Sequence, residues 1–550
     1  MECLFFCRQL LLILIYANAA LAGDGPATAF REVTDRLGID FRHFDGRSGE
    51  RYYVETTGAG GGWFDYDADG DSDLYLINGA PTPGTKPGPI PRNLLYENRD
   101  GVFIDVTEKT GLGDTGYGMG MCSGDYDGDG LLDLFVTNYG PDRLFRNKGD
   151  GSFEEVAERA GVAGKAWGTN CAFGDVDGDG DLDLYVANYV DFRYEANPKC
   201  GGATRNIQSY CRPSVFKGLD DYLYINRGDG TFSEESRRRG IRQNGEVKSF
   251  GVLLCDIDED GDSDILVASD GTMNRLYIND GKGSFSDESL LSGFGFNAAG
   301  EAEAGMGVAL GDVNADGRPD LFVTNYSGES NTLMLNRGEL FFEDATHGVG
   351  LSQPSLREVG WGTQLFDYDN DGDLDLAIAN GHVIDNIAIL EAGASYPQRN
   401  QLFANNGQGS FSPLAEAGGF QIEAVSRALA VADWDRDGRL DLLVTNSNSA
   451  PNLLHNVLKT ANHWIGLELR GPPANRFAIG ARVTASAGLH KAWRQVCSGG
   501  SFLTQSELAL HFGLGSYSGP VALEILWPDG RKQLLTLQKL DRYHRIDYPQ

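Results

Sequence analysis

Seven short segments carry carboxylates at a spacing suited to one kind of chemistry. The first, Asp65-Tyr-Asp67-Ala-Asp69-Gly70-Asp71-Ser-Asp73, presents acids at positions 1, 3, 5, 7 and 9 with glycine at 6. The pattern returns at Asp125, Asp127, Asp129 and Asp133, and at Asp175, Asp177, Asp179, Asp181 and Asp183. It recurs at Asp256, Asp258, Asp260, Asp262 and Asp264, then at Asp312, Asn314, Asp316 and Asp320. The last two copies are Asp367, Asp369, Asp371, Asp373 and Asp375, and Asp433, Asp435, Asp437 and Asp441. Carboxylates at 1, 3, 5 and 9 with a backbone carbonyl from 7 approach the roughly six to eight oxygens that Ca²⁺ prefers, and glycine permits the sharp turn. Mg²⁺ fits less well because it demands near-ideal octahedral geometry. An EF-hand needs Glu at position 12, but twelve from Asp65 is Leu76, in an apolar run. The spacing therefore predicts strand-loop-strand sites for up to seven structural Ca²⁺. Of the chain's 79 acids, 32 lie in these loops, where they would repel one another without cations. Loop five, with Asn314 and Arg318, and loop seven, with Arg436 and Arg439, should bind most weakly.

The flanking residues say what must hold these loops. A Gly-rich apolar stretch such as Gly118-Met-Gly-Met-Cys-Ser-Gly124 precedes each loop, and a run such as Leu134-Phe-Val-Thr-Asn138 follows, so each loop joins two strands. A third segment ends on Asn98, Asn147, Asn226, Asn279 or Asn405, and a fourth opens on Phe103, Phe153, Phe232, Phe285, Phe342 or Phe411. Four strands in each of seven such repeats predict an all-β, seven-bladed β-propeller. The seventh repeat lacks a fourth segment, but Phe30-Arg-Glu-Val-Thr34 matches Phe103-Ile-Asp-Val-Thr107. The N-terminal strand is therefore expected to complete the last blade and close the ring, removing an open edge. Residues 1–22 combine Arg8, an apolar run and Ala20-Leu21-Ala22, the pattern of a cleaved secretory signal. The expected organisation is a signal peptide (1–22), the propeller (23–459) and a smaller C-terminal β domain (460–550), with the propeller folding without the last.

With these residues in view, the loops resemble the FG-GAP/VCBS repeats of integrin α-subunit propellers. The C-terminal segment resembles the ASPIC/UnbV domain of the cartilage acidic protein family, through Asn462-His-Trp464, Ala478-Ile-Gly-Ala-Arg-Val483, Ser501-Phe-Leu, His511-Phe-Gly-Leu-Gly515 and Trp527-Pro-Asp-Gly530. The resemblance implies a secreted calcium-binding propeller and leaves its activity open.

Propeller topology puts the acidic loops on one face and the long insertions, 79–92, 190–221 and 381–399, on the other. Long loops on a rigid scaffold carry recognition, so a ligand site is expected over the axis on that second face. Candidate ligand-binding residues are Tyr117, Lys165, Trp167, Lys248, Trp361 and Arg427; Glu303, Arg357 and His382 are candidates for catalysis. Cys200 and Cys211 share one insertion and should pair in an oxidising compartment, whereas Cys122, Cys171 and Cys255 read as small buried residues. Arg227-Gly228-Asp229 is explained by turn grammar, since Lys148-Gly-Asp150 occupies the same turn of another repeat.

The net charge of −33 argues against nucleic acid as a partner, and after the signal no stretch is long and apolar enough to span a bilayer. Two functions fit: an extracellular or periplasmic binding module for a glycan, protein or small ligand, or an enzyme of natural-product metabolism using an axial pocket. No nucleophile elbow, zincin helix or phosphate loop is present in the sequence, which favours binding.

Overall fold

The computed structural model describes residues 28–202, 207–415 and 417–549, so the signal peptide assigned to 1–22 lies outside the described residues. The expected strand-loop-strand units form. In the first repeat, Gly61–Phe64, Asp73–Leu76, Leu94–Arg99 and Val102–Asp105 make one antiparallel sheet in sequence order. The same order builds five further four-stranded sheets, beginning at Gly118, Gly168, Ser249, Val308 and Gly360. In the last repeat, Ser426–Ala432, Asp441–Asn446 and Asn452–Asn456 are joined by Phe30–Glu32, with Phe30 opposite Asn456. The result is an all-β, propeller-like array.

Two polar residues of each repeat explain how neighbouring sheets hold together. In the first six repeats the position-nine aspartate, which opens the second strand, turns both oxygens on backbone donors: Asp73 Oδ2 accepts from Tyr66 N (3.0 Å) and Oδ1 from Asn98 N (2.8 Å), whereas Asp441 accepts through Oδ1 from Asn456 N. In six of the seven repeats the asparagine closing the third strand then donates from its side chain to the previous repeat. Asn147 Nδ2 reaches the Tyr66 carbonyl (2.8 Å), Asn226 that of Tyr126 (2.8 Å) and Asn279 that of Val176 (2.7 Å). Asn98, in the first repeat, bonds in the same way to the Trp434 carbonyl of the seventh (2.8 Å). Apolar side chains fill the space between sheets, and Trp63, Leu74 and Phe103 of the first share a core with Ala430, Trp434 and Leu443 of the last.

The C-terminal segment forms a three-stranded sheet (Leu510–Gly515, His463–Arg470, Arg542–Asp547) and a four-stranded one (His490–Gln495, Arg482–Ala487, Val521–Leu526, Lys532–Leu537). It is not the free-standing neighbour that the sequence suggests. Residues 498–508 run among the first strands of the repeats, where Phe502, Leu503, Thr504 and Gln505 are fully buried. Ser501 exchanges backbone hydrogen bonds with Val308, Trp63 N donates to the Gln505 carbonyl (3.1 Å), and Ser123 N donates to Gln505 Oε1 (2.8 Å). First strands are edges with one row of backbone donors unspent, and this segment satisfies part of that row.

Cys200 and Cys211 are disulfide-bonded, with Cα atoms 5.1 Å apart. Cys122 and Cys171, read from sequence as small buried residues, instead face each other from adjacent first strands and are also bonded (Cα–Cα 5.7 Å). Cys255 stays free and buried. No helix among the described residues is long and apolar enough to cross a membrane.

Candidate functional site

Each acidic loop begins with an aspartate that folds the loop onto itself. Asp65 accepts from the N–H groups of Asp69 and Gly70 (both 3.1 Å), and Asp367 and Asp433 repeat the arrangement. The glycine at position six has φ between 85° and 102° in all seven loops, a region closed to most side chains. The turn brings carboxylates together. Oxygens of Asp65, Asp67 and Asp73 lie within 4.8 Å of one another, as do those of Asp125, Asp127 and Asp133, of Asp175, Asp177 and Asp183, and of Asp256, Asp258 and Asp260.

A cation fits these residues. Asp125 Oδ1, Asp177 Oδ1, Asp256 Oδ1 and Asp262 Oδ1 are buried with no hydrogen-bond partner among the described residues, which is costly unless something positive sits there. Burial and mutual repulsion raise the loop carboxyls: Asp65 and Asp175 to about 6, Asp125 and Asp433 to about 7, Asp367 to about 8. In loop seven, Asp435, Asp437 and His455 of the third strand bring ligand atoms within 4.8 Å of one another. His455 Nε2 lies 3.1 Å from Asp435 and 3.9 Å from Asp437, and these two carboxylates raise its pKa to about 9. Arg439 pairs with Asp437, and in loop five Arg318 pairs with Asp316 (2.6 Å), so both loops carry cationic groups of their own.

The C-terminal segment lies over this face. His511 Nε2 is 3.1 Å from the Gly438 carbonyl, Tyr543 donates to Asp433 (2.8 Å), Asn462 donates to the Asp369 carbonyl (3.0 Å), and Arg482 pairs with Glu259 (2.7 Å).

At the opposite end of the strands, a cavity of about 650 Å³ opens among residues that enter first strands and leave second strands. Tyr53, Thr56 and Thr57 line one side, Lys248, Phe250, Met306 and Trp361 the inner wall, and Tyr189, Asp270 and Tyr326 the strand exits. Two of the three insertions contribute, through Arg212 to Ser214 and through Val383 to Glu391. Of the residues singled out from sequence, Lys248 and Trp361 line the cavity. The others do not. Arg427 is fully buried behind Trp361, its guanidinium 4.2 Å from that ring and bonded to the carbonyls of Thr56, Gly381, Ser426 and His382, so it ties the wall together. Tyr117 is buried with its hydroxyl on the Asp45 carbonyl (2.6 Å), Trp167 is buried among Tyr53, Tyr139 and Tyr189, and Lys165 is exposed.

The candidate catalytic residues do not converge. Glu303 accepts from Asn297, Asn325 and Thr332; Arg357 is exposed, and among the described residues no ion pair joins it to Glu303. His382 is buried beside Arg427, which together with burial lowers its pKa to about 4. Sequence reading missed Asp270 and Tyr189. Their signal lay in one sequence position: Tyr139, Tyr189 and Tyr326 follow Asn138, Asn188 and Asn325 in repeats two, three and five, but Asp270 follows Ser269 in repeat four.

A family model described as FG-GAP-like repeat matches residues 65–136, 125–186, 256–323, 312–378 and 384–444, more than half of the chain. The chain belongs to the FG-GAP-like repeat family. A second model, described as ASPIC and UnbV, matches residues 471–550 of this FG-GAP-like chain. Mouse cartilage acidic protein 1 is 29% identical over 316 residues, covering 54% of this chain and 45% of the mouse protein. Human cartilage acidic protein 1 is 30% identical over 292 residues, covering 51% and 41%. The match thus spans less than half the length of these relatives. Among solved structures, an Agrocybe aegerita lectin that recognises non-reducing terminal N-acetylglucosamine aligns over 72% of this chain and 87% of its own, with 16% identity and a TM-score of 0.39.

Proposed function

We propose that the chain is an exported binding module: a signal peptide (1–22), a closed seven-bladed propeller (23–459) whose acidic loops hold up to seven Ca²⁺, and a C-terminal β domain (460–550). Its ligand enters the cavity on the insertion face. The observation that carries this reading is the cavity itself, concave, aromatic-walled, built partly by inserted segments and set apart from the acidic loops. Binding is preferred to catalysis because Glu303, Arg357 and His382 stand apart and are occupied structurally or exposed. In this reading calcium would be held by positions 1, 3, 5 and 9 of each loop, neutralising carboxylates and fixing the ends of the first two strands.

A small-molecule panel tests the cavity assignment, with Leu390→Trp filling it from the rim. Ligand-induced shifts that survive this substitution would move the site elsewhere.

Closure of the ring is supported by the pairing of Phe30 with Asn456 and by the Asn98 bond to Trp434 across the first and last repeats. Removing residues 23–40 is expected to expose the strand Asn452–Asn456 as an edge and to cause aggregation or loss of cooperative unfolding. Light scattering and thermal melting of the exported, truncated protein check this; a soluble protein with an unchanged melt argues against closure.

A further inference from the structure

The floor of the cavity holds three polar groups that the protein leaves unspent. Lys248 is 9% exposed, and its backbone N–H donates to Thr272, but among the described residues its ammonium has no hydrogen-bond or ion-pair partner. Asp270 is 8% exposed; its Oδ2 accepts from the Tyr189 hydroxyl, which is itself 2.7 Å from the Tyr53 hydroxyl, while Oδ1 has no partner among the described residues. Thr57 Oγ1 is buried without a hydrogen-bond partner among the described residues. That unpaired hydroxyl carries a cost that a bound group would recover, while the Lys248 ammonium and Asp270 Oδ1 line the cavity with hydrogen-bonding capacity left for a ligand.

Their chemistry restricts the ligand. Lys248 offers only donors, ionised Asp270 only acceptors, and Thr57 both. A cationic head group would meet the Lys248 ammonium. An anionic one would meet Asp270, with Glu329 also on the lining. Hydroxyl groups donate and accept at once, so neighbouring hydroxyls can give to Asp270 Oδ1 while receiving from Lys248 and Thr57. Above the floor the wall turns apolar: Phe250 stacks on Tyr189 with centroids 4.1 Å apart, and Trp361, Met306 and Tyr326 complete it. Such a wall suits the C–H face of a saturated ring rather than a second polar edge. Arg212 and Glu391, exposed at the mouth, are of opposite sign and add no net preference for charge.

We infer that the cavity binds an uncharged sugar ring, with Lys248, Asp270 and Thr57 bonding its hydroxyls and the Phe250 and Trp361 wall covering its C–H face. This rests on the reading of the cavity as the ligand site. Lys248 and Asp270 act in recognition, and no bond is made or broken.

The test uses the exported full-length protein in millimolar calcium. Probes are the methyl glycosides of glucose, galactose, mannose and N-acetylglucosamine, the charged sugars glucuronate and glucosamine, and the non-sugars benzoate and benzylamine. Saturation-transfer NMR detects binding and calorimetry gives Kd. At least one neutral glycoside is expected to bind, and Asp270→Asn or Lys248→Met to weaken it about tenfold or more, since each removes a charged hydrogen-bond partner. Asp270→Asn retains an oxygen for the Tyr189 hydroxyl, and equal melting temperatures identify the variants that remain folded.

Tighter binding of a charged probe that is lost on Lys248→Met and Leu390→Trp would overturn the neutral-sugar assignment and leave the cavity as the ligand site. A glycoside bound equally by Asp270→Asn, Lys248→Met and Leu390→Trp would overturn both. Absence of binding by every sugar would overturn the assignment alone.

Discussion

Stripped of divalent cations, the protein should become less stable as pH rises from about 5 to 8, and millimolar calcium should remove most of that loss. The direction follows from the loop carboxyls. Asp65, Asp125, Asp175, Asp367 and Asp433 have folded-state pKa values of about 6, 7, 6, 8 and 7, raised above the ordinary aspartate value first by burial. A group that binds its proton more tightly when folded stabilises the fold at low pH. That contribution is complete below the unfolded value of about 3.9 and disappears as pH passes through the folded values. Calcium reverses the order by stabilising the ionised form, because cation binding and protonation compete for the same oxygens. A site held at about a hundred times its Kd contributes about 2.7 kcal/mol, so several occupied loops should raise the melting temperature substantially.

Differential scanning calorimetry in EGTA and in calcium, across this pH range, separates the two regimes. Parallel curves with and without calcium would remove the metal from the loops. The loops should also differ among themselves. Replacing Asp367 and Asp369 together by Asn should abolish more of the calcium-induced rise than Asp312→Asn, because Arg318 already pairs with Asp316 in loop five.

Much of this architecture was legible because it repeats. Period-two apolar runs around a fixed nine-residue loop define strands whatever lies between them, and the missing fourth segment of the last repeat pointed to Phe30. The roles of position nine and of the third-strand asparagine were not legible, since an aspartate on two backbone donors and one near a cation have the same letter. Arg427 was misread for a related reason. An arginine beside an axis suggests a ligand contact, yet five donors can be satisfied by backbone carbonyls, which the sequence does not display. The disulfide between Cys122 and Cys171 required knowing that the two first strands are adjacent. Asp270 was visible only as an acid at a position where repeats two, three and five carry tyrosine.

The segment 498–508 was the least legible, and it carries the other large expected effect. Ser498-Gly-Gly-Ser-Phe-Leu-Thr-Gln505 has neither helical nor strand periodicity, and its partners lie between 72 and 443 residues earlier in the chain. Even so, its Gln505 side chain bonds Ser123, Ser501 Oγ accepts from Thr363 N (2.9 Å), and Phe502 packs against Phe250 and Trp361 with centroids 5.3 and 4.7 Å away. A chain ending near Thr460 would leave those first-strand donors and rings without partners. It is therefore expected to be insoluble or only partly folded, contrary to the simple view that a complete set of repeats suffices.

Phe502→Ala in the full chain isolates the apolar part, and truncation of a fully buried phenylalanine should cost about 3–5 kcal/mol, read from denaturant unfolding in calcium. Because the same domain rests on the acidic loops through His511, Tyr543 and Asn462, chelation should loosen it too, and limited proteolysis in EGTA should cut first near 457–462. Recovery of a soluble, cooperatively melting 23–460 fragment would show that the inner strands do not need this segment, and its contacts would then serve the C-terminal domain alone.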